Sequence, residues 1–369
     1  MSELSIGVNL GFGNLHEDLN DEQMYQGELD VAVLSEELGY DSIWATEHHF
    51  ADYSLCPDNF VVLANIAGRT KNIKLGTAAV IIPWNDPLRV AEKALMLDNL
   101  SGGRTLLGVG RGVARIEFEG LRIPRETSRE RFDEAGPMIF RAVESGWMEG
   151  DGPFYKQPRV QLRPGPQGTS WDGRRYAVAG TMDSLISAVN MKAALMSFVV
   201  KPVPALMDSF NTYREMYEKQ HGEIAPPICL NVNMYCHEDQ ETARERHFEY
   251  IMRFYQSNVE HYEFGKPELG KVKGYERYAD NADRLNTMGV DGVANAYAES
   301  ALWGTPETIL GKIEEIRDVL GDFELIVAPA FGGMPYDQAF DSLRLFAREV
   351  MPKARGMRGS AVSMAGAAV

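Results

Sequence analysis

Glu47, His48 and His49 stand side by side directly after a short apolar run, Asp41-Ser42-Ile43-Trp44-Ala45-Thr46. Burying even one neutral polar group without a partner costs roughly 2–7 kcal/mol. Three titratable groups at the end of a core strand therefore mark a place where the strand opens into a site. Imidazole suits acid–base work because its ordinary pKa of about 6.5 lets either protonation state exist near neutrality. Side chains alternate along an extended strand, which sends Glu47 and His49 one way and His48 the other. At most one imidazole then faces a ligand directly, with the other behind it. A metal site would need a further ligand, and no HxH or HExxH spacing occurs.

Further strand ends carry unusual chemistry. Gly76-Thr77-Ala78-Ala79-Val80 closes one apolar run and Gly108-Val109-Gly110-Arg111-Gly112 another. Glycines at 108, 110 and 112 let a flat ligand approach the backbone, or they serve tight packing. Between a later strand and helix lies Gly180-Thr181-Met182-Asp183-Ser184. Two hydroxyls and the free N–H groups of a helix start make a phosphate site there, and Arg111 supplies a cation to pair with it. The same segment also reads as an ordinary N-cap at Thr181 or Asp183, and Asp183 has the wrong sign for an anion unless it points away.

The elements that must position these residues alternate between strand and helix. The pattern predicts strands over Leu4–Leu10, Ser42–Ala45, Ile73–Val80, Thr105–Val109, Tyr176–Ala179, Leu195–Val200, Ile228–Cys236 and Glu324–Val327. The helices between and after them are Asp21–Leu38, Asn59–Arg69, Pro87–Leu100, Ser128–Ser145, Asp183–Ala193, Val203–Gln220, Asp239–Gln256 and Tyr336–Met351. Gly39 ends the first as a C′ glycine, and Pro87 opens the third at the tolerated first turn. Eight strand–helix pairs are the count of a (β/α)8 TIM barrel. A doubly wound open sheet is the other fold considered, with Gly108-x-Gly110-x-Gly112 as a dinucleotide loop. The GxGxxG spacing is not met, and the charged stretch Arg115–Glu119 follows where a helix should start.

With 369 residues and no internal repeat, the chain reads as one domain over 1–355. The excess over the roughly 250 residues of a typical barrel falls in insertions near 112–129, 150–173 and 258–322. Phe154-Tyr155 and Val160–Leu162 read as a hairpin in the second. Residues 356–369, rich in small side chains, read as a disordered tail. A formal charge of −16 argues against nucleic acid and anionic membrane as partners. No apolar stretch approaches the roughly 20 residues of a membrane span, and the N-terminus lacks a secretory pattern. Cys56, Cys229 and Cys236 have no CxxC spacing and read as reduced thiols, which with the missing signal predicts a cytoplasmic protein.

The string Asp41 to Phe50, followed by Leu75-Gly76-Thr77-Ala78-Ala79 and Pro87 to Glu92, resembles the bacterial-luciferase-like flavin-dependent monooxygenases. Leu97-Asp98-x-Leu100-Ser101-x-Gly103-Arg104, Gly108-x-Gly110-Arg111-Gly112, Gly304-Thr305-Pro306-Glu307 and Phe346-Ala347-x-Glu349-Val350-x-Pro352 continue the likeness nearly to the end. The resemblance implies a TIM barrel that binds reduced FMN (FMNH2) at its C-terminal face. There O2 adds at the flavin C4a and the resulting peroxide oxygenates an organic substrate. It makes His48 the catalytic histidine, with Glu47 and His49 as its neighbours. Ala78 and Ala79 match the strand that bulges behind the isoalloxazine, often through a non-proline cis peptide. Arg111, Thr181 and Ser184 match the phosphate-binding positions, and Gly110 and Gly180 join them as cofactor-binding residues. Gly110 occupies the position of the reactive cysteine of the light-emitting subunit, and Ala114 replaces an aromatic, so a dark monooxygenase is implied. Asn258–Trp303 matches a variable region where a mobile lid often lies.

No nicotinamide-binding module is visible, so a separate NAD(P)H:flavin reductase is the expected partner, with a small, apolar organic substrate. A homodimer or higher homo-oligomer is expected on the general frequency of such assemblies. F420-dependent hydride transfer on the same barrel is the alternative, although the acidic charge does not favour an acidic cofactor tail. A flavin-binding protein without turnover and a barrel hydrolase holding a metal on Glu47, His48 and His49 complete the alternatives.

Overall fold

The computed structural model describes residues 3–266 and 279–357. The chain opens with β1 (Ile6–Leu10), α1 (Asp21–Glu37), β2 (Ser42–Ala45), α2 (Asn59–Arg69), β3 (Lys74–Thr77) and the short β4 (Val80–Ile81). It continues with α3 (Pro87–Ser101), β5 (Thr105–Gly110), α4 (Arg115–Gly120) and α5 (Ser128–Ser145). β6 (Trp147–Asp151) and β7 (Lys156–Gln161) form a separate antiparallel hairpin. Then come β8 (Arg175–Val178), α6 (Met182–Asn190), β9 (Ala194–Phe198), α7 (Met207–His221), β10 (Ile228–Cys236) and α8 (Gln240–Tyr262). α9 (Ala279–Glu299), β11 (Leu302–Gly304), α10 (Pro306–Leu320), β12 (Phe323–Ala328), α11 (Tyr336–Leu345) and α12 (Met351–Gly356) complete the described chain.

Eight parallel strands close on themselves in the order β1-β2-β3-β5-β8-β9-β10-β12 and back to β1. Closure removes both sheet edges and makes the fold the (β/α)8 barrel that the element count predicts. It also disposes of the dinucleotide-loop alternative, because Gly108–Gly112 end a barrel strand. Arg115–Gly120 is helical after all, but as a short insertion behind β5. Local chemistry explains the element ends. Asp86 accepts the N–H groups of Leu88 and Arg89 at 2.9 and 3.3 Å, capping α3 with Pro87 in its first turn. Asn20 and Gln23 form a reciprocal capping box on α1.

Inside the barrel, Trp44, Ala78, Leu106, Tyr176, Met196, Cys229 and Ile326 pack on one another. The opposite strand faces bury Val8, Ile43, Leu75, Leu107 and Leu230 against the helices. Trp44 donates its indole N–H to Ser42 at 2.8 Å and meets the Tyr176 ring edge-on at 4.9 Å. Two glycines exist to make room here. A Cβ on Gly76 would lie 2.2 Å from the Trp44 ring, and one on Gly108 would lie 2.1 Å from the Thr77 carbonyl oxygen. At Gly108, therefore, the packing reading holds.

The structure departs from the sequence pattern in the insertions. The run predicted as one strand over Ile73–Val80 breaks after Thr77. The Ala78–Ala79 peptide is cis, and the chain resumes as β4 with Val80 opposite Val109. The hairpin arms are β6 and β7, and Phe154-Tyr155 forms the turn instead of an arm. The cause is Glu134, whose carboxylate accepts the N–H groups of Phe154 and Tyr155 at 3.1 and 2.7 Å. α8 runs on to Tyr262 instead of stopping near Gln256. β11, not predicted, adds in parallel to the end of β10, with Leu302 opposite Met234. Residues 267–278 of the predicted lid region and 358–369 of the predicted tail lie outside the described residues; Gly356 still belongs to α12. Among the described residues no helix is long and apolar enough to cross a membrane.

Candidate active site

The strand β2 ends at Ala45, so Glu47, His48 and His49 lie on the loop at its C-terminal end. Glu47 is buried and faces away from His48. It accepts the Ile81 N–H at 2.8 Å and the Asn85 side-chain amide at 2.9 Å, and His49 Nε2 lies 3.5 Å from it. These contacts tie the loop to the chain that follows the cis Ala78–Ala79 bond. His48 turns the other way, towards α4 and the tip of α8.

There, His48 Nδ1 lies 3.0 Å from Oε1 of Glu117, whose side chain has no solvent exposure. The same oxygen accepts the backbone N–H of His49 at 2.9 Å. His261, on the last turn of α8, brings Nε2 to 3.4 Å from it. Burial alone would push the Glu117 carboxyl up, but the imidazoles of His48 and His261 outweigh it and hold it down at about 2. An ionised Glu117 can only accept, so the shared proton sits on Nδ1 of His48 and leaves Nε2 facing outward. Nε2 in turn is 3.3 Å from the Tyr262 hydroxyl.

An aromatic wall closes this side. Tyr53 stacks on His261 at 4.8 Å and meets the His48 ring edge-on at 5.0 Å, and Tyr262 stacks on Phe264 at 5.0 Å. Burial pushes the Tyr53 phenol up to about 12, so it stays protonated. Arg115 fastens the wall to α4: its guanidinium binds Glu263 through two hydrogen bonds of 2.8 Å and Glu119 through two more of 2.8 and 2.7 Å.

The residues expected at a phosphate lie on the neighbouring strand ends. Val109 pairs with Ala177, so Arg111 and Gly180 leave adjacent strands β5 and β8 just beyond that level. Thr181 is the N-cap of α6, and the N–H groups leading into the helix are engaged within the cap. Gly180 and Thr181 donate theirs to Ser184 Oγ at 2.9 and 2.8 Å, and Ser184 returns its own to Thr181 Oγ1 at 3.4 Å. Gly110 abuts the cis peptide: a Cβ there would lie 3.2 Å from that of Ala79 and 2.8 Å from Ile81 Cδ1. Sequence reasoning did not find Glu117, His261 or Tyr262. Glu117 has the clearest signature, an acid flanked by Ile116 and Phe118, but nothing in the spacing ties it to His48.

Residues 5–322 match the family described as luciferase-like monooxygenase. Over 127 residues the chain is 35% identical to the alkanal monooxygenase alpha chain of Aliivibrio fischeri, a stretch covering 34% of this chain and only 36% of that one. It is 23% identical over 347 residues to the oxygenase component of the flavin-dependent trigonelline monooxygenase of Acinetobacter baylyi, covering 89% and 90% of the two. A crystal structure of a monooxygenase from Streptomyces bottropensis has a TM-score of 0.73 to it at 26% identity, covering 95% of this chain and 99% of the other.

Proposed function

The chain belongs to the luciferase-like monooxygenase family, an oxidoreductase on that ground, and from this membership we propose that it is the oxygenase component of a two-component pair. A separate NAD(P)H:flavin reductase supplies reduced FMN, and one atom of O2 enters a small, apolar organic substrate.

The barrel mouth fits a flat heterocycle with mixed donors and acceptors. Asn9 Oδ1 and Asn231 Nδ2 are buried without a partner among the described residues. Their neighbours Val8, Leu10, Leu230 and Val232 pack outward, so both amides point into the barrel. Reduced flavin, when bound, supplies the electrons that let one oxygen atom enter the substrate while the other leaves as water. Ala78, Ala79 and Gly110 back its ring, and Arg111, Gly180, Thr181 and Ser184 hold its phosphate, once Ser184 Oγ turns and releases the two N–H groups it now occupies.

The observation that carries this reading is His48, held at the mouth by a fully buried, ionised Glu117. Nε2 of His48 holds and moves the proton that oxygen chemistry needs, because Glu117 keeps Nδ1 protonated and the ring oriented. Glu47 and His49 fix the loop that carries it. Tyr53, Tyr262 and Phe264 beside His48 suit an apolar substrate and exclude water.

The test is to bind reduced FMN anaerobically and then admit O2. The expected result is a transient flavin absorbance near roughly 380 nm, distinct from oxidised FMN. Tight binding of F420 with oxygen-independent turnover and no such transient overturns the reading in favour of hydride transfer.

A further inference from the structure

We propose that His48, Glu117 and His261 form a latent site for a transition-metal dication of the zinc type, and that filling it silences the acid–base histidine. One nitrogen from each imidazole and one carboxylate oxygen lie within 4.8 Å of one another. Zinc holds such donors at about 2.0–2.2 Å in a tetrahedron, which places neighbouring donors about 3.3 Å apart. Glu117 Oε1 stands 3.0 Å from His48 Nδ1 and 3.4 Å from His261 Nε2. Both distances from the carboxylate oxygen thus already match edges of a coordination tetrahedron, and the two nitrogens stand within 4.8 Å of each other.

A second observation also asks for a ligand. The His261 side chain is 1% exposed, yet among the described residues its Nδ1 has no hydrogen-bond partner, its Nε2 has only the 3.4 Å ion-pair contact with Glu117 Oε1, and Oε2 of Glu117 makes no hydrogen bond. A buried imidazole with one nitrogen unpaired and the other held only by a long contact is costly, and a bound cation would satisfy both it and the carboxylate at once. The surroundings are compatible: the nearby guanidinium of Arg115 is taken up by Glu119 and Glu263. Tyr262 would support the far nitrogen of His48 at 3.3 Å, as a ligating imidazole requires. Entry of the ion expels the proton that His48 shares with Glu117. The ligand set differs from the Glu47-His48-His49 string, because Glu47 is committed to Ile81 and Asn85. Its three members come from three elements far apart in the chain, so no spacing motif reveals it.

Binding depends only on this geometry; silencing also rests on the role proposed for His48. The experiment titrates zinc chloride into the full chain against a chromogenic chelator, with circular dichroism of each variant as a check on folding. A single site is expected, weakened roughly tenfold or more in His261→Gln and in Glu117→Gln. X-ray absorption at the zinc edge should report two imidazoles. Equal zinc affinity in the wild type and a folded His261→Gln overturns the site. Zinc bound at the expected site without loss of oxygenation overturns the silencing, and with it the acid–base role of His48.

Discussion

His48 donates from Nδ1 to Glu117 across 69 positions of sequence, at 3.0 Å, and the carboxylate that receives it has no contact with solvent. That pairing sets which nitrogen of the imidazole carries the proton, and so which one is offered to the site. It turns a histidine on a loop into an oriented acid–base group.

Replacing either partner should lower the chemical step without unfolding the barrel. His48→Gln removes the proton carrier and is expected to lower kcat by about a hundredfold. Glu117→Gln keeps the shape and loses the charge, with a loss of about tenfold. Single-turnover product formation after oxygen is admitted measures both. A kcat in His48→Gln equal to that of the wild type would refute the assignment.

The same carboxylate links stability to pH. Its folded pKa is about 2 against an ordinary 4.5, so the unfolded chain binds its proton first. The stabilisation is complete above pH 4.5 and is lost as pH falls towards 2. Thermal melts of the wild type and Glu117→Gln should therefore differ most above that range and converge below it. A constant difference down the pH series contradicts the assignment.

At the phosphate end, Arg111→Ala should weaken FMN while leaving riboflavin unchanged, because only the former carries the charge that the guanidinium meets. Ser184→Ala has an additional effect, since Ser184 is part of the cap of α6; it is expected to cost about 1 kcal/mol of stability as well. Fluorescence titration with both flavins reads the first effect and urea unfolding the second. Equal losses for FMN and riboflavin in Arg111→Ala would move the phosphate elsewhere.

Gly76→Ala tests the barrel floor. The new Cβ would lie 2.2 Å from the Trp44 ring, a rigid indole backed by Tyr176. Overpacking of this kind costs about 1–3 kcal/mol. Urea midpoints should fall accordingly, and Gly68→Ala, where nothing stands within 4 Å, should not show the loss.

The parts of the fold written in local chemistry were legible in the sequence. Ser42–Ala45, Asn59–Arg69, Ser128–Ser145 and Ile228–Cys236 have the bounds that their apolar runs and flanking polar residues indicate. The split of His48 from Glu47 and His49 was also legible, although a loop makes it instead of a strand. What could not be read depends on contacts between distant segments. Glu134 decides where the hairpin turns. β11 is three residues long and pairs with Met234–Cys236, the end of β10 that runs on past its ladders with β9 and β12. Thr181 and Ser184 close a reciprocal cap on α6, and which of the offered cap residues would do so depends on side-chain geometry that the spacing does not carry. The partners of His48 arrive on α4 and α8, and neither helix announces in its own sequence which strand end it will cover.

Arg115 and Glu263, 148 positions apart, join those two helices. The tool set at the mouth is therefore built in halves by different parts of the chain: the loop after β2 contributes His48, and α4 and α8 contribute what steers it. Anyone grafting this loop onto another barrel would transfer a histidine without its instructions. The smallest transplantable piece is the β2 loop together with α4 and the end of α8, with the arginine clasp between them intact.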